Sequence, residues 1–237
     1  MSTPDTFLAG NGVMARAFYT VMRALVVGLF RLYNRITVEG ADRIPTEGAF
    51  ILAPVHRSIL DTPYAACVTR RRMRFMAKDS IWNSRIFGWI VSALGAFPVT
   101  RETADREALR RAITVLGAGE PLVMFPEGGR RAGPRIEPLF NGAAYVAAKA
   151  GVPIVPVGIG GSERVMPKGA WFIWPRKVRV VVGAPLAPPI AADGGRVKRQ
   201  ERDRYTAQLT EALQAAFDAS MDGVGWSYDE VPQPLTD

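Results

Sequence analysis

Seven short apolar runs, separated by segments of helical period, limit what this chain can fold into. The runs are Ile36–Gly40, Ala49–Ala53, Met73–Ala77, Ala96–Val99, Pro121–Phe125, Ile154–Ile159 and Val178–Val182. Helical patterns lie between them near residues 58–69, 80–94, 102–118 and 138–150. Short runs without polar alternation suit strands buried on both faces, and regular interleaving with helices suits crossover connections. The expected fold is therefore α/β, a mostly parallel central sheet covered by helices. In such sheets ligands collect beyond the carboxyl ends of the strands, so residues just after a run are the ones to examine for chemistry.

The segment before the first run has a different character. From Val13 to Tyr33 apolar residues recur in pairs every four positions, as on one face of a helix, or of two helices hinged near Gly28. Arg16, Arg23, Arg31 and Arg35 interrupt it, and the longest charge-free stretch, Ala24 to Phe30, is far short of the ~20 residues of a spanning helix. Recurrent arginines and the lack of a small-residue cleavage site also argue against a signal peptide. An apolar stripe flanked by arginines reads as an amphipathic, membrane-associating helix on anionic lipid, the alternative being an ordinary helix that covers the domain's own core. At the other end, a Pro/Gly/Ala loop from Ala184 to Gly195 precedes a charged helix, Val197 to Met221, with Leu209, Leu213, Ala216 and Phe217 as its apolar stripe. The expected organisation is an N-terminal helical segment over 1–35, one main domain over 36–221 and a tail over 222–237.

The charge balance narrows the partners. The 237 residues carry a formal net charge of +8, and only five of the 30 basic residues are lysines. Such a chain favours an anionic partner, and arginine's planar fork suits phosphate or carboxylate. A nucleic-acid-binding module is the non-enzymatic alternative, but the cations are dispersed and no zinc spacing, RNA-binding aromatic motif or basic heptad region accompanies them. One cysteine, Cys67, excludes an intrachain disulfide and sits in an apolar helical pattern, where packing is its expected role. One histidine and no acidic cluster beside it suggest no metal site.

That histidine, His56, follows the second run in Ala53-Pro54-Val55-His56-Arg57-Ser58-Ile59-Leu60-Asp61. It is the one side chain here whose ordinary pKa suits a general base near neutral pH. Five residues apart on an ideal helix, His56 and Asp61 would not share a face. They meet only if the helix starts after the histidine, with Ser58 as a candidate N-cap and Asp61 in the first turn. The same spacing also describes a plain capping arrangement. Three later stretches follow predicted strands: Phe75-Met76-Ala77-Lys78-Asp79, Gly95 to Arg101, and Phe125-Pro126-Glu127-Gly128-Gly129-Arg130-Arg131. In the last, glycines permit close backbone approach to a ligand and arginines offer donors to phosphate.

Together these stretches resemble the glycerolipid acyltransferase family typified by 1-acylglycerol-3-phosphate O-acyltransferases. The family's Asn-His-x4-Asp is matched at His56 and Asp61, with Val55 where Asn is usual; its Phe-Pro-Glu-Gly-x-Arg is matched by Phe125 to Arg130, with Gly129 where Thr is usual. Gly95 to Arg101 resembles its second motif and Val155-Pro156-Val157-Gly158-Ile159 its fourth, so the likeness spans about Gly40 to Gly183.

The resemblance implies transfer of a fatty acyl group from acyl-CoA or acyl carrier protein to lysophosphatidic acid, giving phosphatidic acid, without a cofactor. His56 would be the general base on the acceptor hydroxyl and Asp61 would hold the imidazole. Arg101 and Arg130 would grip the phosphate, with Lys78 as a further donor. Glu127 and Gly128 would belong to the same acceptor site, with Glu127 orienting an arginine or a glycerol hydroxyl. Backbone amides near that turn or at the helix start are candidate oxyanion donors. The implied location is the cytoplasmic face of the cell membrane, peripheral or monotopic. Glycerol 3-phosphate, a lysophospholipid or a glycolipid are the alternative acceptors, and a catalytically dead lipid-binding relative is the remaining non-enzymatic reading.

Overall fold

The computed structural model describes residues 12–99, 106–167, 169–191, 197–225 and 227–228; Lys78 is described by its backbone alone. All seven expected runs are strands: β1 (Thr37–Glu39), β2 (Ile51–Pro54), β3 (Arg74–Lys78), β4 (Ala96–Val99), β5 (Leu122–Val123), β6 (Ile154–Gly160) and β7 (Arg179–Val182). They form one sheet in the order β1-β7-β6-β2-β5-β3-β4. Every neighbouring pair is parallel except β6 and β7, so the two outermost strands on that side run against the rest.

Six helices of the α type were expected or nearly so, and a short seventh was not. α1 (Val13–Tyr33) is a single unbroken helix, without a hinge at Gly28. α3 (Arg85–Ala93), α4 (Arg106–Gly117), α5 (Gly142–Ala150) and α7 (Arg199–Met221) fall within the periodic segments, with a 3-10 turn, Asp79–Asn83, leading into α3. α2 is only Asp61–Ala65, much shorter than the 58–69 pattern, and α6 (Ser162–Val165) is the unexpected one.

The sheet's period of two sorts the core into two layers. On β2, Leu52 joins Phe30, Tyr64, Val157, Val180, Leu213 and Phe217 on one side of the sheet. Its neighbours Ile51 and Ala53 join Phe97, Ala112, Val115, Val146 and Leu209 on the other. α7 contributes to both layers and lies so close to β6 that a Cβ at Gly158 would stand 2.0 Å from the Ala216 carbonyl oxygen. Only a residue without a side chain permits that approach.

α1 packs through Ala15, Tyr19 and Phe30 while Met14, Val21, Leu25, Leu29 and Leu32 stay exposed along its opposite side. By length and composition it is long and apolar enough to cross a membrane. Its inner side is nevertheless tied to the domain: Arg23 donates to the carbonyls of Ala66 and Cys67 at 3.2 and 3.4 Å. A helix apolar on two sides, one on the core and one bare, fits a membrane-associating segment that lies against lipid.

Candidate active site

β2 and β5 are parallel neighbours in a register that pairs Leu52 with Val123. Four residues beyond each partner come His56 and Glu127, so the register alone delivers them to the same place past the sheet's carboxyl edge. His56 is then fixed on every side. Its amide donates to Glu127 Oε1 at 2.8 Å, its carbonyl accepts from the Arg131 amide at 2.8 Å, and its ring stacks on Phe125 at 4.0 Å. Nδ1 lies 3.2 Å from Asp61 Oδ2, and the imidazole keeps 18% of its surface open while Asp61 is fully buried.

The turn that joins the two residues differs from the expected cap. Asp61 Oδ2 accepts the amides of Arg57 and Ser58, both at 2.6 Å, as well as facing the imidazole. The carboxylate therefore organises the turn before it, and α2 can begin only at Asp61. Ser58 is not the cap: its hydroxyl donates to the Met166 carbonyl at 3.2 Å, and the Leu60 amide approaches it only at 3.4 Å. In the tautomer that donates Nδ1–H to Asp61, the nitrogen left to accept a proton is Nε2, on the ring's far edge.

Glu127 is 1% exposed and its carboxylate is committed inward. Besides the His56 amide it holds Arg57, whose Nη1 lies 2.7 Å from Oε2 with both side chains 1% exposed. Arg57 also donates to the carbonyls of Gly133 and Arg135 at 3.2 and 3.1 Å, and its guanidinium lies over the Phe217 ring at 5.0 Å. A buried pair of this kind costs desolvation that only such full hydrogen bonding offsets. Of the two tasks expected for Glu127, orienting an arginine has a partner in place, and that arginine is Arg57, which sequence reasoning did not single out.

Gly128 follows at φ 68°, with its amide donating to the Phe125 carbonyl at 3.1 Å and the Phe140 ring covering its α-carbon. Arg130 is exposed on the same turn. Lys78 ends β3 at the same carboxyl edge of the sheet, but its side chain is not described, and Arg101 lies outside the described residues. Glu127 thus touches His56 directly, and Gly128 and Arg130 follow it on the same turn. Cys67 is not part of the group; burial pushes its thiol up to about 11, consistent with packing.

Beside the turn, α1, α2, β3, β4 and the segment before α3 enclose a cavity of about 460 Å³. Met22, Val26, Ile59, Pro63, Phe75 and Leu94 make its wall almost wholly apolar. Ile59 and Thr62 line it too, on the very turn that carries Asp61. Its size is within the range of ligand pockets, ~300–1,000 Å³.

The acyltransferase family model matches residues 35–160, more than half of the chain. The chain belongs to the acyltransferase family. A relative from Streptococcus pneumoniae, 1-acyl-sn-glycerol-3-phosphate acyltransferase, is 37% identical over 93% of this chain and 80% of its own length. The chloroplastic 1-acyl-sn-glycerol-3-phosphate acyltransferase of Arabidopsis thaliana is 30% identical over 65% of this chain, which spans 44% of that relative. Among solved structures, the 1-acyl-sn-glycerophosphate (LPA) acyltransferase PlsC from Thermotoga maritima superposes with a TM-score of 0.64 at 24% identity, covering 90% of this chain and 94% of that one. At that identity the likeness speaks for the fold alone.

Proposed function

We propose that the protein transfers a fatty acyl group from an acyl thioester, acyl-CoA or acyl-carrier protein, to the free hydroxyl of lysophosphatidic acid, giving phosphatidic acid. The observation that carries this reading is the His56–Asp61 contact, whose sequence neighbours Ile59 and Thr62 line an apolar cavity, in a chain whose relatives are named for that reaction. Nε2 of His56 accepts the acceptor's hydroxyl proton as the oxygen attacks the thioester carbonyl. Asp61 holds the tautomer and stabilises the imidazolium that forms. Collapse of the tetrahedral oxyanion expels the thiolate, which takes the proton back from His56. The apolar cavity holds the acyl chain, and backbone amides of the turn around Gly129 and Arg130 face the developing oxyanion. Arg101 and Arg130, with Lys78, hold the acceptor's phosphate. No cofactor takes part, and the reaction proceeds on the cytoplasmic face of the membrane against which α1 lies.

The test is acyl transfer by His56→Ala and Asp61→Asn with acyl-CoA and lysophosphatidate. The first removes the base, an effect of about 10²–10⁴-fold on kcat. In the second, the amide oxygen takes the place of Oδ2 and keeps the Arg57 and Ser58 amides, so the turn persists, but the charge that stabilises the imidazolium is gone and kcat is expected to fall. Undiminished turnover in both variants refutes the dyad. Arg101→Ala and Arg130→Ala are expected to raise KM for phosphorylated acceptors alone; an equal rise for an unphosphorylated one removes the phosphate assignment.

A further inference from the structure

We propose that the loop Trp171-Phe172-Ile173-Trp174, between β6 and β7, is an aromatic anchor that enters the interface of an anionic bilayer beside α1 and fixes how the enzyme sits on it. The inference deepens the membrane part of the function proposed above and rests on α1 lying against lipid. Trp171 is 90% exposed, and Phe172 and Trp174 are bare over nearly half of their surface. The three rings hold one another edge-on, Phe172 lying 6.0 Å from Trp171 and 5.1 Å from Trp174. Ile173 alone turns inward onto the core. Large aromatic rings with one polar edge favour the boundary between headgroups and acyl chains.

The loop is held at the C-terminal end of α1. Tyr33 Oη donates to the Ile173 carbonyl at 2.8 Å, and Asn34 Nδ2 donates to the carbonyls of Trp174 and Arg176 at 2.9 and 3.3 Å. The Trp174 amide is in turn held by the Val165 carbonyl at 2.8 Å. The rings are thus clipped to the end of α1 where Leu29 and Leu32 are exposed, and the two surfaces have a fixed relation. At the opposite end α1 meets a second aromatic group: Phe18 lies 5.2 Å from Trp89, beside exposed Ile86 and Phe87 on α3. Three apolar contacts at separated points define a plane, whereas a single helix can roll about its axis.

Charge selects the occupant. Arg31, Arg35, Arg176 and Lys177 are all exposed around the loop, and Arg35 reaches the Pro175 carbonyl at 3.5 Å. A ring of cations around exposed indoles complements anionic phospholipid, with an effect of about fivefold on binding per cation near the surface.

The experiment compares the full chain with Trp171→Ser/Phe172→Ser/Trp174→Ser in sedimentation with phosphatidylglycerol vesicles. The expected result is at least about tenfold weaker partition for the variant. Brominated phosphatidylglycerol should quench indole emission more in the wild type than in Trp171→Phe/Trp174→Phe, which keeps the loop apolar and guards against misfolding. Turnover of lysophosphatidate dispersed in detergent should be unchanged. Equal partition with equal quenching overturns the proposal, as does a dimer in lipid-free solution that the serine variant dissociates, since the rings would then cover a second copy. A wild type that binds vesicles through the loop but transfers no acyl group would instead refute the catalytic reading and leave this one standing.

Discussion

Replacing Glu127 with glutamine removes one charge from a pair that solvent barely reaches, and the structure sets the size of the response. Arg57 Nη1 and Glu127 Oε2 are 2.7 Å apart with both side chains 1% exposed. Removing one partner of such a pair leaves a buried cation uncompensated, at about 3–5 kcal/mol. Arg57 keeps two carbonyl acceptors, on Gly133 and Arg135, and glutamine's own carbonyl can still accept from the His56 amide. The lower end, about 3 kcal/mol, is therefore expected. For a domain of this size about 1 kcal/mol shifts Tm by about 2–4 °C, so Glu127→Gln should melt about 6–12 °C lower by calorimetry or circular dichroism. Arg57→Met should be comparably destabilised, and the double variant should melt well above the sum of the two losses, with a coupling of about 2 kcal/mol. Kinetically, displacement of the His56 backbone should lower kcat with KM for lysophosphatidate little changed. A glutamine variant that melts within about 1 °C of wild type while KM rises tenfold would refute the reasoning: Glu127 would then face the acceptor.

Two further expectations come from the same region. Gly128→Ala puts a Cβ 2.7 Å from the Phe140 ring at a backbone angle of +68°, so denaturant unfolding should show a loss of about 2 kcal/mol, partly recovered with Phe140→Ala. Burial raises the Cys67 thiol to about 11, so at pH 8 only about a thousandth is thiolate, and iodoacetamide should label it at least a hundredfold more slowly than a free cysteine; brisk labelling in the native state would place it on the surface.

The strands were legible because their runs are short and dense in apolar residues, with β2, β4, β5 and β6 buried throughout; each begins within two residues of its expected start. Their order was not, since pairing a strand from residue 37 with one from residue 179 leaves no local trace. Of the site, His56 and Asp61 were legible by spacing. The error at Ser58 arose because apolar periodicity through Ile59 and Leu60 mimics a helix, while one carboxylate oxygen holding two amides shapes that turn otherwise. Arg57 was missed for a different reason: in sequence it is one charge among many, and its partner is 70 residues away.

The edge position of β1 has a consequence for how the chain meets its surroundings while it is being made. β1 pairs only with β7, and Asn34, at the end of α1, is held by Trp174 and Arg176. Until about 145 further residues have followed, a delay of about 7–30 s at ordinary synthesis rates, the first helix has no finished seat on the domain. Its inner side can dock earlier, once Tyr64, Ala66 and Cys67 have followed, but its outer side stays bare throughout, open to the nearest lipid surface while the domain is unfinished.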